Sequence, residues 1–377
     1  MYTHCFPPYT GGSSTYAFEL ARGLSRLQHS VTAVVPEYSS DSTNIDHGQP
    51  YEVKRTFRRG SSSKKNIVLG VIYLAFQIFK IRPSFIIVTD IESHMVCAIV
   101  RMFTFCRIIT VVHGEEPFVN NAGIKKHLFH YLISKSTHII ASSNFTRHSL
   151  LEKQGDIKDK VYVVNPGVDI AKFQKYADPR RIADRHSIGS NKVILTIARL
   201  VPRKGQDTVI RSLPVVIKKY PDVRYIIGGQ GPDNARLKNL VKELGLGSYV
   251  IFAGHIDDGE INSYYELCDI FAMISRKEHA DVEGFGISFL EANLKGKPVI
   301  GGLHGGVPEA IIQNKTGLLV DPRDKNEVAH SILELLSNPS FARNLGDNGR
   351  RRCLANFSWE NASIAFSKLI TYNNAKS

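Results

Sequence analysis

Two short stretches carry charges whose types and spacing suit a phosphorylated, hydroxyl-rich ligand. In ARLVPRKGQD, residues 198–207, Arg199 follows directly on an apolar run and Lys204 comes five residues later, just before Gly205. Two cations at the mouth of a strand fit a diphosphate, because charge-assisted hydrogen bonds to phosphate oxygens are short and strong. A solvated basic loop also explains an Arg-Lys pair, but the place at a strand's carboxyl end favours an anion site. In DVEGFGISFLEA, residues 281–292, Glu283 and Glu291 stand eight apart. A helix from about Phe285 puts Ile287, Leu290 and Leu294 on one face, and Ser288, Glu291 and Lys295 on the other. Gly284 and Gly286 leave the first-turn amides unobstructed for hydroxyl or phosphate oxygens. Ionised carboxylates only accept hydrogen bonds, so sugar hydroxyls are natural partners for the two glutamates. The bland alternative has Glu283 answering the helix dipole and Glu291 paired with Lys295.

Other signals are weaker. FPPYTGG, residues 6–12, ends in Gly11 and Gly12 at the start of a helix, where backbone amides approach a phosphate or sugar closely. A double glycine is more often a tight turn. Neither GxGxxG nor GxxxxGK[ST] occurs, so nicotinamide and P-loop readings find no motif.

The elements that must hold these residues alternate. From residue 193, VILTIA, RYIIGG, VIFAG, IFAMIS, PVIGG and GLLV read as strands separated by helix-sized segments. This is the pattern of a doubly wound parallel α/β sheet. SVTAVV, FIIVTD, RIITVVHG, HIIASS and VYVV repeat the rhythm in the first half, and the polar stretch 177–191 separates the halves. The length of 377 residues suits two domains, and 43% hydrophobic with 22% charged residues excludes a disordered chain. Five scattered cysteines without a CxxC argue for a reducing compartment. The N-terminus has no signal-peptide pattern, and the longest apolar run, 66–79, is shorter than the roughly 18 residues a membrane span needs. The expected location is cytoplasmic. A net charge of +13 calls for an anionic partner, but no zinc-finger or ribonucleoprotein pattern supports nucleic acid.

The chain resembles the retaining glycosyltransferases of family 4. The resemblance is carried by ARLVPRKGQD, GGQGP, VIFAGHI, EGFGISFLEA, GGVPE, TGLLVDP and FSW in the second half. FPPYTGG, VVHG, ASSNFTR and NPGVD carry it in the first half. VPRKGQD and DVEGFGI are especially similar to bacterial GDP-mannose-dependent mannosyltransferases acting on phosphatidylinositol and related lipids. The resemblance implies an α/β GT-B fold, two Rossmann-like domains facing a cleft. It expects an acceptor domain at 1–175, a donor domain at 190–357, and a C-terminal helix from 358 returning to the first domain, with Trp359 as a packing anchor.

It further implies that Arg199 and Lys204 hold the donor diphosphate and Glu291 the ribose. Glu283, with the amides of Gly284, Phe285 and Gly286 and the neighbouring Ile287, would hold the sugar. His113 would face the sugar from the other domain, although a strand-end histidine is often only a packed imidazole. Gly11 and Gly12 would approach the phosphates, while Gly229, Gly231, His255 and Ile256 would flank the base. The reaction implied is a front-face retaining displacement in which the departing phosphate takes the acceptor proton. No DxD occurs in a suitable loop, and Arg plus Lys can replace a divalent metal there.

No cofactor is expected beyond the donor substrate, GDP-mannose or another nucleotide sugar, and the acceptor is a lipid-linked or saccharide hydroxyl. The alternatives are a UDP-sugar transferase of the same fold and a non-catalytic nucleotide-sugar-binding partner subunit. KRTFRRGSSSKK, residues 54–65, is expected to bind an anionic membrane surface peripherally; a solvated loop before a core helix is the competing reading. Only MYTHC precedes Phe6-Pro7-Pro8, so we expect a shortened central strand, with the natural start further upstream or a labile first domain.

Overall fold

A computed structural model describes residues 1–9, 11–38, 45–58, 63–114 and 123–372. Contacts gather into two compact units, Val168–Ser358 and Met1–Gly167 with the segment from Trp359 onward.

The second unit is built on six parallel strands: β7 Lys192–Ile197, β8 Val223–Gly228, β9 Val250–Gly254, β10 Ile270–Met273, β11 Val299–Gly302 and β12 Leu318–Val320. Side chains alternate between the two faces, as the pleat requires. Ile194, Tyr225, Ile227, Ile270 and Ala272 enter one core with the helices Gln206–Lys219 and Lys325–Ser337. Val193, Leu195, Ile226, Phe271 and Met273 enter the other with Phe289 and Leu290 of the helix Ile287–Leu294. Burial on both faces explains why these strands read as continuous apolar runs. The strand order is β12-β11-β10-β7-β8-β9. The chain reverses direction across the sheet between β7 and β10, and such a switch point opens a ligand crevice at the strands' carboxyl ends. The polar stretch 177–191 packs with this unit through Ile182 and Ile188.

The first unit has β1 Thr32–Glu37, β2 Glu52–Arg58, β3 Ile86–Val88, β4 Ile108–Val112, β5 His138–Ala141 and β6 Val161–Val163. β1 pairs with β2, and β3 to β6 form a second parallel ladder. Between them the N-terminal segment acts as a minimal central strand, with Tyr2 bridging Val34 on one side and Val88 on the other. Its amide donates to the Ile87 carbonyl at 2.8 Å, and Val34 N–H reaches the Met1 carbonyl at 2.8 Å. A buried carboxylate fixes this join. Asp90 Oδ2 accepts from Thr3 Oγ1 at 2.8 Å, His4 N at 2.7 Å and Ser93 Oγ at 2.5 Å, while Oδ1 caps the helix Ile91–Arg101.

β2 was not legible in the sequence, and it alters the reading of the basic segment. Arg55 bonds Asp46 at 2.7 and 2.9 Å and donates to the Pro7 and Pro36 carbonyls, and Lys54 lies 3.3 Å from Glu52. These two cations are engaged in the fold. Arg59, residues 60–62 and the side chains of Arg58, Lys64 and Lys65 lie outside the described residues. The C-terminal helix Trp359–Tyr372 packs on the helix Gly12–Arg26, with Trp359 edge-on to Tyr16.

Candidate active site

The crevice between β7 and β10 holds the charges. Beyond β7 the chain turns through Arg199 and the short 3-10 turn Pro202–Lys204 into the helix Gln206–Lys219. Beyond β10 it runs out to Glu283 and returns as the helix Ile287–Leu294. Lys204 Nζ donates to Glu283 Oε2 at 2.5 Å, Arg203 Nη1 donates to the same oxygen at 2.6 Å, and Ser275 Oγ lies 3.3 Å away. Arg203 Nε reaches Asp281 Oδ1 at 2.6 Å. Burial alone raises the Glu283 carboxyl, but Lys204 and Arg203 outweigh it and hold the group down at about 2. Glu283 is therefore ionised although nearly buried. Burial also lowers the Lys204 ammonium, against the pull of Glu283.

The loops are braced from behind. Arg276 N–H donates to the Arg203 carbonyl at 2.9 Å, while its guanidinium reaches Asp207 at 2.8 Å and Glu278 at 2.5 Å. Gly306 N–H donates to the Glu283 carbonyl at 2.9 Å, so the GGVPE turn fixes the backbone beneath that glutamate. Arg199 is exposed and forms no ion pair among the described residues. Its loop is zipped to the GGQGP loop by Ala198 N–H to Gly228 O at 3.0 Å and Leu200 N–H to Gln230 O at 2.9 Å. That closeness demands the glycines. A Cβ on Gly229, at φ 124°, would overlap the Ala198 carbonyl, and one on Gly231 would overlap the Leu200 carbonyl.

Glu291 lies on the second turn of its helix and accepts from Tyr265 Oη at 2.7 Å, and burial pushes its carboxyl up. Lys295 turns instead to Glu266 at 2.8 Å and to the Lys175 carbonyl. The Glu291–Lys295 pair considered from spacing is not formed. The helix begins at Ile287, two residues later than its spacing suggested, because Gly286 takes a left-handed φ of 99°. Gly284 and Phe285 thus belong to the entering loop; Phe285 is buried against Phe357 and Ser288 Oγ reaches the Ile197 carbonyl at 3.3 Å. His255 is exposed beyond β9, 3.5 Å from Asp257, and Ile256 lies against Gly228.

Gly11, Gly12 and His113 belong to the first unit. The space beside Gly12 is open, so packing does not demand a glycine there. His113 closes β4, edge-on to Tyr16 at 4.8 Å, and burial lowers its imidazole to about 4. Sequence reasoning missed Arg203, Ser275 and Tyr265. Arg203 had a signal in its adjacency to Lys204, whereas Tyr265 had none nearby.

An ion cluster and a carboxylate-bearing helix lie at the switch point of one Rossmann-like unit, and a second such unit is present in the chain, which is the architecture of the GT-B fold. The matches to known families agree. Residues 180–352 match the glycosyl transferases group 1 and residues 10–172 match glycosyltransferase family 4. A GDP-mannose-dependent alpha-(1-6)-phosphatidylinositol monomannoside mannosyltransferase of Mycolicibacterium smegmatis is 32% identical over 70% of each chain. Its namesake in Mycobacterium tuberculosis is 28% identical over 100% of this chain and 98% of its own. In fold, the chain is similar to Anabaena HepE in complex with UDP-glucose, with TM-score 0.83, 19% identity, and 98% and 99% of the two chains covered. Sucrose-phosphate synthase of Thermosynechococcus elongatus gives TM-score 0.83 at 22% identity, covering 100% of this chain and 96% of its own. The chain belongs to glycosyltransferase family 4 and is a hexosyltransferase.

Proposed function

We propose that the protein transfers mannose from GDP-mannose, with retention and without a metal ion, to a lipid-linked or saccharide hydroxyl. The observation that carries the reading is the meeting of Lys204, Arg203 and Glu283 at the switch point, with exposed Arg199 on the neighbouring loop. The two mannosyltransferase relatives, one of them matched over its whole length, support mannose as the sugar and a phosphatidylinositol-type lipid as the acceptor class.

In the reaction, the bond between the sugar's anomeric carbon and the β-phosphate oxygen breaks. The acceptor oxygen bonds to the same face of that carbon, and the acceptor proton ends on the departing phosphate. Charge builds on the leaving diphosphate, so preorganised cations are the main catalytic requirement. Arg199 and Lys204 take that role. Glu283, held ionised, accepts from sugar hydroxyls beside the amides of Gly284, Phe285 and Gly286. Glu291 accepts from the ribose. His113 acts in transfer as a neutral imidazole.

The test is a melting-temperature panel with GDP-, UDP- and ADP-sugars, followed by transfer with the best donor in EDTA. A selective shift with GDP-mannose and EDTA-resistant transfer are expected. A preference for a UDP-sugar overturns the donor assignment, and activity restored only by magnesium or manganese overturns the metal-free scheme. Donor binding with neither transfer nor hydrolysis would make the chain a non-catalytic binder.

A further inference from the structure

The second unit carries another group of cations outside the donor crevice. A cavity of about 220 Å³ opens where the chain leaves β10 and β12, against the N-terminal ends of the helices Gln206–Lys219 and Lys325–Ser337. Arg211, Arg276, Arg323 and Lys325 line it, with Asp207 the one carboxylate among the described lining residues. None of Arg199, Lys204, Glu283 and Glu291 does. Asp207 does not balance four cations. Both its oxygens are committed to the Arg276 guanidinium, Oδ1 to Nη1 at 2.8 Å and Oδ2 to Nη2 at 3.1 Å. Arg276 is nearly buried, and it also donates from Nε to Glu278 at 2.5 Å and from Nη1 to Thr208 Oγ1 at 3.1 Å. Of the five guanidinium N–H groups, one on Nη2 keeps no acceptor among the described residues.

Arg211, Arg323 and Lys325 are exposed and form no ion pair among the described residues. The acids nearest in sequence are spent on backbone amides. Asp321 accepts from Arg323 N–H at 2.9 Å, Asp324 caps the helix Lys325–Ser337, and Glu327 accepts from Asp321 N–H at 2.8 Å. Like charges crowded round a cavity repel one another, and an anion placed between them relieves the repulsion. We propose that this cavity binds a phosphate or diphosphate group, free or as a small ester. Arg276 forms the fixed wall, and Arg211, Arg323 and Lys325 close on the outer oxygens. Guanidinium forks match phosphate oxygens, and a tetrahedral group serves donors on several sides where a planar carboxylate serves fewer. The cavity is smaller than the roughly 300–1,000 Å³ of pockets that enclose a larger organic ligand, so it takes the anionic group and not a whole nucleotide. The proposal goes beyond the donor reading and does not rest on it, because no donor residue lines the cavity.

The experiment is titration calorimetry of the full chain with pyrophosphate, orthophosphate, glycerol phosphate and acetate at matched ionic strength. Arg276 N–H also holds the Arg203 carbonyl at 2.9 Å, so the variants leave Arg276 in place. The wild type is expected to bind pyrophosphate more tightly than acetate, and less tightly in high salt. The triple variant R211Q/R323Q/K325Q should bind pyrophosphate about tenfold more weakly with an unchanged melting temperature. R323Q alone should show a smaller loss in the same direction. Lys204→Met should retain this binding, which separates the cavity from the donor crevice. Glycerol phosphate binding as tightly as orthophosphate supports an ester as the ligand, and binding of the inorganic ions alone supports the free ions. A wild type that binds no phosphate species, or that binds acetate equally well, overturns the proposal. So does a triple variant that binds pyrophosphate as the wild type does, or loss of all binding in Lys204→Met.

Discussion

Replacing Lys204 with methionine removes one charge and keeps an unbranched apolar stem in the same space. Two effects are expected, one from the proposed mechanism and one from the structure. The first is the loss of a cation at the departing phosphate, where one preorganised donor in a water-poor site contributes about 3–4 kcal/mol. That is a fall of about 100- to 1000-fold in kcat/KM. The second is local. Glu283 loses its strongest attraction but keeps Arg203 at 2.6 Å and Ser275 at 3.3 Å, so it is not left as a bare buried charge. Removing the sole partner of a buried ion typically costs about 3–5 kcal/mol. The remaining guanidinium should hold the loss to about 1 kcal/mol, near 3 °C for a unit of this size. Steady-state transfer and a thermal melt, run on the same preparation, separate the two effects. A variant that melts within a few degrees of wild type and transfers within threefold of its rate would refute the assignment of Lys204. Lys204→Arg, which restores charge with different reach, should recover part of the rate.

Glu291→Ala should raise the donor KM about tenfold and leave kcat nearly unchanged, because ribose binding is alike in ground and transition states; a fall in kcat alone refutes the ribose role. Tyr265→Phe removes the hydroxyl bonded to Glu291 at 2.7 Å and should act in the same direction more weakly. Burial depresses the His113 imidazole to about 4, so its NMR signals should not titrate between pH 5 and 8. A base whose folded pKa is lowered adds stability above its ordinary 6.5, and that stability is lost as pH falls toward 4; a midpoint near 6.5 contradicts its burial. Asp90→Ala removes the carboxylate that accepts from Thr3 Oγ1, the His4 amide and Ser93 Oγ at the central join of the first sheet and that caps the helix Ile91–Arg101. Urea unfolding should record a loss of about 3 kcal/mol, and less than 1 would mean water replaces the carboxylate.

The legibility of this chain was uneven, for physical reasons. Strands β7 to β12 announced themselves because burial on both faces demands unbroken apolar runs. β2, Glu52–Arg58, sits at a sheet edge, and its charges conceal the alternation. A shortened central strand was expected from MYTHC, and in the structure a single residue, Tyr2, bridges the two ladders with bonds on both sides. Within the site, the cations were read as phosphate ligands and the carboxylates as sugar ligands, in isolation. Lys204 and Glu283 are 79 residues apart, and their contact depends on β7 and β10 being neighbours, a pairing that follows from topology and not from local pattern. Gly229 and Gly231 were read as flanking the base, and the fold separately requires glycine at both to let two loops touch.

That contact gives Arg203 a task of its own. Without donor, Lys204 and Arg203 face Glu283 and Asp281, so the cluster is close to neutral. In the proposed reaction the diphosphate draws on Lys204, and each step of that ammonium toward phosphate would take from Glu283 its largest electrostatic support. On the proposed mechanism the carboxylate stays ionised to accept from the sugar. Arg203 is placed to secure this, since it is nearly buried, binds the same Oε2 and is tethered through its Nε to Asp281. On this argument Arg203 is a positioning residue whose loss appears in the pH profile before it appears in binding. Glu283 has a lowered carboxyl pKa, so its ionised form persists as pH falls toward about 2. Arg203→Gln should let that pKa climb, moving the acid limb of kcat upward by about one unit. At pH 8 the variant should approach wild-type kcat, because Glu283 is ionised there in either case. If kcat falls equally at every pH, Arg203 only holds the loop in place. If the acid limb does not move, Lys204 alone sustains Glu283 while the phosphate is bound.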